Sequence, residues 1–182
     1  MARFGKLLPF FLLIGIAALA AAVFGALHNQ LSYTVGPTYF SVLKFQQFGI
    51  GEDIAPRLGA ALVGAQASWW MGIIAGLPAF VIGLVIVPRV QSYFAAGLGA
   101  IGLVVVFATF SALLGLVGGL AMDSTGLLDS YLTFPDGPTR GDFLRAGFMH
   151  DSAYLAGTIG ALLALWPMFR ARKIDRARAE AA

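Results

Sequence analysis

The sequence predicts an all-α membrane protein, an antiparallel bundle of four transmembrane helices with a short interfacial helix in the first external segment. Three observations lead there. Hydrophobic residues make up 59% of the 182 residues and charged residues only 12%, about half the charged share of ordinary soluble domains. The mean hydropathy of +0.83 does not suit a water-soluble globule. Finally, the apolar residues gather into four runs, each near or above the roughly 20 residues that cross a bilayer.

The first run spans 7–27 and follows Arg3 and Lys6. A cleaved signal peptide would show a positive start, an apolar core and a small-residue site, for which Phe24-Gly25-Ala26 qualifies. The run is longer than a typical cleaved core and stays apolar up to His28, so a retained helix is expected. The external segment 28–57 then holds a break at Gly36-Pro37. Beyond the break, Tyr39, Phe40, Val42, Leu43, Phe45 and Phe48 leave Ser41, Lys44 and Gln47 on a narrower polar side. That pattern fits a short helix in the headgroup plane. Pro56 marks the next helix start.

The second span, 58–87, contains Gln66, Ser68, Trp69 and Trp70, then Gly72 and Gly76 at small-xxx-small spacing. Pro78 is a candidate kink, and Pro88-Arg89 ends the run. The short connector predicts an antiparallel hairpin with the third span, 94–120, whose two ends are rich in glycine suited to close helix packing. A second external segment, 121–147, carries Asp123, Asp129, Asp136 and Asp142 around a Pro135–Pro138 turn. Asp142 reads as the N-cap of a helix leading into the fourth span, 148–169. A basic tail, 170–182, closes what reads as a single membrane domain.

Charge sets the expected orientation. Of the 12 Lys and Arg residues, eight lie at the termini or beside Pro88 and four (Lys44, Arg57, Arg140, Arg145) in the external segments. The positive-inside rule then places both termini in the cytoplasm. The tail reads as a topology signal that also touches anionic lipid, so the net charge of +3 is no sign of nucleic-acid binding.

Candidate chemistry is sparse. The chain has no cysteine, which removes disulfides, thiolate metal sites and cysteine nucleophiles. His28 and His150 both fall near the outer interface, and with Asp151 they form a candidate site for a metal ion or a proton relay. Glu52 and Asp53 are further carboxylates at that level. No HxxxH or HExxH spacing supports a metal site, and a histidine near a helix end is also ordinary interfacial chemistry. Trp69 and Trp70 beside Gln66 are a candidate cofactor pocket for a quinone, lipid or pigment. Adjacent residues project about 100° apart on a helix, so at most one tryptophan faces such a pocket, and packing is the simpler account. Tyr33, Tyr39, Phe40, Phe45 and Phe48 read either as a docking surface for a membrane partner or as an anchor for their own bundle. Carriers place ionisable groups within the hydrocarbon region, and these spans hold them only at their ends, which disfavours transport.

His28-Asn29-Gln30-Leu31-Ser32-Tyr33-Thr34, Pro37, Tyr39-Phe40 and Lys44-Phe45-Gln46-Gln47-Phe48 resemble a segment found after the first span in a group of bacterial multi-span proteins of uncharacterised function. The resemblance covers about the first half of the chain, including Trp69-Trp70. It implies a bacterial inner-membrane location and no activity. The group has an acidic residue where this chain has Asn29, which argues against a metal ligand at that position.

Taken together, these features predict a structural, accessory or assembly subunit acting through lateral contacts with a membrane-protein partner or a second copy. The competing readings are a small membrane enzyme or redox module with a metal or quinone near His28 and His150, and an oligomeric pore or carrier.

Overall fold

The computed structural model describes residues 4–128 and 140–181. Arg3, Asp129 and the Pro135–Pro138 turn lie outside the described residues. The chain is an all-α four-helix bundle. After a 3-10 turn, Phe4–Lys6, the long helices are α1 (Leu7–Val35), α2 (Pro56–Ile86), α3 (Val90–Thr125) and α4 (Arg140–Leu163), which α5 (Leu165–Glu180) prolongs. These make four helical segments long and apolar enough to cross a membrane, and by that measure this is a multi-pass membrane protein. Among the described residues no strand occurs.

Two boundaries differ from expectation for physical reasons. The first helix does not end at His28 but continues to Val35. No glycine or proline lies between His28 and Gly36-Pro37, and the polar residues that mimic an exit from the apolar run, Asn29 and Ser32, are buried among neighbouring helices. The basic tail is likewise not a loose appendage. Pro167 has no amide hydrogen for the Leu163 carbonyl four residues back, which matches the interruption at Ala164 between α4 and α5. The helix then resumes and carries the arginines on a docked element.

The fold groups into two compact units. One comprises Met1–Ala21, Ser68–Phe107 and Ala156–Ala182; the other comprises Ala22–Ala67 and Ala108–Leu155. In the first, Leu13, Phe80, Val87, Tyr93 and Met168 form a core with small residues between them. Gly72 lets α1 and α2 approach, since a β-carbon there would run into the Ala17 carbonyl and the Ala21 side chain. Two buried charges clamp this unit. Lys6 Nζ donates to the carbonyls of Leu84 (3.0 Å) and Val87 at the C-terminal end of α2, where helix carbonyls lack partners. Asp175 of α5 accepts from the Arg89 amide (3.1 Å) and the Ser92 hydroxyl (2.7 Å), capping the N-terminus of α3.

The second unit is held by aromatic and polar contacts. Tyr39, Phe40, Ala60 and Ala146 form its buried cluster, flanked by Tyr33, Phe45 and Phe143. The glycines at the far end of α3 do what their spacing predicts. At Gly115 a β-carbon would meet the Phe148 carbonyl and Ser152 on α4. Asp123 closes the same face by pairing with Arg140 (3.1 Å) and Arg145 (2.9 Å).

Candidate functional site

The site is built by α1, α4 and the aromatic segment between α1 and α2. That segment is three short helical turns: Pro37–Tyr39, the π-helical Phe40–Lys44, and Phe45–Phe48. Its entry depends on Gly36, which packs so closely that a β-carbon would strike the Asp142 carbonyl and the Ala146 side chain. Pro37 follows with its φ preset for a first helical position. Asp142 does not cap its own helix, as the sequence suggested. Its carboxylate accepts from the Thr38 amide (3.2 Å) and hydroxyl (2.6 Å), capping the aromatic segment instead. The segment ends at Gly49, with φ of 64°. There the Ile50 amide bonds the Phe45 carbonyl and the Gly49 amide bonds the Gln46 carbonyl, a Schellman closure that needs a left-handed residue.

This geometry turns Tyr39 and Phe40 inward onto histidine. His150 is 5% exposed. Tyr39 stacks on its ring at 5.2 Å between centroids, and Phe40 tilts against it at 5.9 Å. The sequence left open whether the two histidines meet, and they do. His28 contacts His150 edge-on, with centroids 4.8 Å apart and planes at 86°. Phe24, one turn earlier on α1, stacks on the other side of His28 at 5.6 Å. A hydrogen bond of 3.2 Å joins Ser32 Oγ to His150 Nε2. Ser32 lies one turn beyond His28 and therefore shares its face of α1. Asn29, 2% exposed, uses its amide to donate to the Ala60 carbonyl of α2 at 2.9 Å.

The polar atoms of the site are thus largely occupied. The exception is His28 Nε2, which is buried with no hydrogen-bond partner among the described residues. In an apolar box such an atom is the natural point of attachment for a small ligand, either a metal ion or a group able to exchange a hydrogen bond with an imidazole. Lys44 Nζ sits 5.5 Å over the Tyr39 ring at the rim. Burial lowers the Lys44 ammonium from its usual range, against an opposing pull from the Asp151 carboxylate. Burial likewise raises the Tyr39 phenol, with the neighbouring Tyr154 and Asp151 adding to the rise.

The other candidates fall elsewhere. Asp151 is exposed, since adjacent helix residues diverge by about 100° and His150 takes the inward direction. Glu52 and Asp53 are exposed in the loop before α2. Among the described residues no group of three or more His, Asp or Glu side chains is placed to hold a metal ion. Gln66 is exposed, and Trp69 and Trp70 are 50% and 46% exposed. Within the aromatic segment, Tyr39 and Phe40 are buried in a cluster with Ala60 and Ala146 of the chain's own helices. Sequence reading missed Ser32, Tyr39 and Asn29 as partners of this site, and Lys6 and Asp175 as clamps. The i, i+4 spacing of His28 and Ser32 and the lone aspartate among five tail bases were the available signals. No known protein family, curated protein or solved structure matches the chain.

Proposed function

We propose that this is a multi-pass protein of the bacterial inner membrane, with both termini in the cytoplasm, acting as a non-catalytic accessory or assembly subunit through lateral contacts. The observation that carries this reading is how the buried polar side chains are used. Lys6, Asn29, Ser32 and Asp175 each bond a neighbouring helix or its connector, so the polar chemistry goes into holding helices together. What remains for neighbours is the outward surface. On α2, Trp70, Ile74, Leu77, Val81 and Val85 are all exposed and follow one another at three- or four-residue steps, a continuous stripe along one helix face. Purification in mild detergent is expected to yield a stoichiometric membrane partner or a defined homo-oligomer. Recovery only as a lone monomer overturns the reading.

A second reading, a small redox or metal-binding module, is favoured by one observation, the buried and unpartnered His28 Nε2 beside His150. It requires a metal or chromophore that co-purifies and disappears in His28→Ala. An unloaded protein, with His28→Ala and His150→Ala behaving as the parent does, removes it.

A further inference from the structure

Gly97, Gly99 and Gly102 stand together near the start of α3, and close helix packing accounts for only the first. A β-carbon at Gly97 would collide with Leu13, whereas at Gly99 and Gly102 it would meet nothing within 4 Å. Glycine inside a helix is less favourable than alanine, and here no neighbouring helix explains it. Both glycines instead form the floor of a groove of about 550 Å³ between α3 and α5, within the size range of small-molecule sites. The groove's lining carries two chemistries. Gly99, Gly102 and Val106 give it an apolar floor on α3, and Trp166, Arg170 and Arg178 line it from α5. Arg170 already packs over the Trp166 ring at 5.4 Å, and Asp175 fixes α5 against the α2–α3 connector through Arg89 and Ser92, so the guanidinium groups are carried on a held element.

We propose that this groove binds one anionic phospholipid, with an acyl chain lying over Gly99 and Gly102 and the phosphate held by Arg170 and Arg178. Charge complementarity selects this occupant. An apolar groove whose lining includes two arginines matches a ligand that is part hydrocarbon and part anion, and guanidinium groups favour phosphate oxygens by forked hydrogen bonding. A zwitterionic lipid would offer the same hydrocarbon but brings its own cation to the arginines. The inference is independent of the histidine pair.

Trp166 supplies the test. The chain has three tryptophans, and a Trp69→Phe, Trp70→Phe form leaves Trp166 as the only emitter. This form would be reconstituted into phosphatidylcholine vesicles containing increasing fractions of lipid brominated on its chains, either phosphatidylglycerol or phosphatidylcholine. Saturable quenching at a fraction about thirtyfold lower for phosphatidylglycerol is expected, from roughly 1 kcal/mol of attraction for each of the two arginines. The preference should vanish in Arg170→Gln with Arg178→Gln, which removes the phosphate partners. It should also vanish in Gly99→Leu, which fills the floor where a β-carbon meets open space. Equal quenching by the two lipids in the parent overturns the proposal without any variant. So does an anionic preference that survives Gly99→Leu, because the arginines would then be attracting the bilayer surface and not a seated lipid.

Discussion

Asn29 illustrates how one side chain at helix depth is chosen by the direction of its hydrogen bond. A carbonyl such as that of Ala60 can only accept, so its partner must donate, which an amide does and a carboxylate does not. A carboxylate at this position would therefore meet a carbonyl, in a place with almost no solvent. Asn29→Leu is expected to cost about 0.6–1.7 kcal/mol, the usual size of an interhelical hydrogen bond in membranes. Asn29→Asp is expected to cost more, about 3 kcal/mol, because it buries an uncompensated charge. Thermal unfolding in detergent would rank the two, and equal losses would contradict the donor argument. Tyr39 gives a pH signature at the same scale. Its buried phenol is held above the ordinary value near 10. Below that pH the phenol is neutral whether the chain is folded or unfolded, and the full contribution to stability is present. Above it the unfolded chain ionises first, so stability falls by up to about 1.4 kcal/mol per pH unit until the folded phenol follows. Melting curves between pH 8 and 11 should show an alkaline loss that is smaller in Tyr39→Phe.

At the level of elements, the ends of the helices carry the specificity. The α2–α3 connector is too short to satisfy its own orphan amides and carbonyls, and Lys6 and Asp175 from the two ends of the chain do it instead. Asp175→Ala should destabilise the protein by about 1–2 kcal/mol, the usual effect of losing a cap. Asp175→Asn should lose less, since an amide oxygen still accepts from the Arg89 amide. Limited proteolysis of α5 alongside the melting curve would check both, and a tail equally protected in Asp175→Ala would show that the cap does not hold it. The same logic places the aromatic segment. Its composition predicts a short amphipathic helix, but its inward turn depends on Asp142 bonding Thr38, 104 positions away. Local pattern supplies the tendency to form the turn, and a distant carboxylate supplies its direction.

For the whole molecule, the eight-to-four division of basic residues predicts that a reporter fused after Ala182 is active only in the cytoplasm. An exported C-terminal reporter would reverse the assignment. Leu13 and Ala17 lie in the core of their unit, so loss of the first helix would remove packed residues. Mass spectrometry of the purified chain is expected to find that helix present. The all-α class, the four long apolar helices and roughly where each helix lies were legible in the order of residues. They are properties of composition and breakers, which add up locally along the chain: long apolar runs, Gly36-Pro37, Pro88, the basic tail. The candidate site was legible only as a pair of histidines at a similar depth. Their contact, the bond from Ser32 to His150 across 118 positions, the unpartnered His28 nitrogen and the open floor at Gly99 and Gly102 depend on which helix faces meet. No spacing within a single helix encodes that, because the rotation of one helix about its axis is fixed by the helices packed against it.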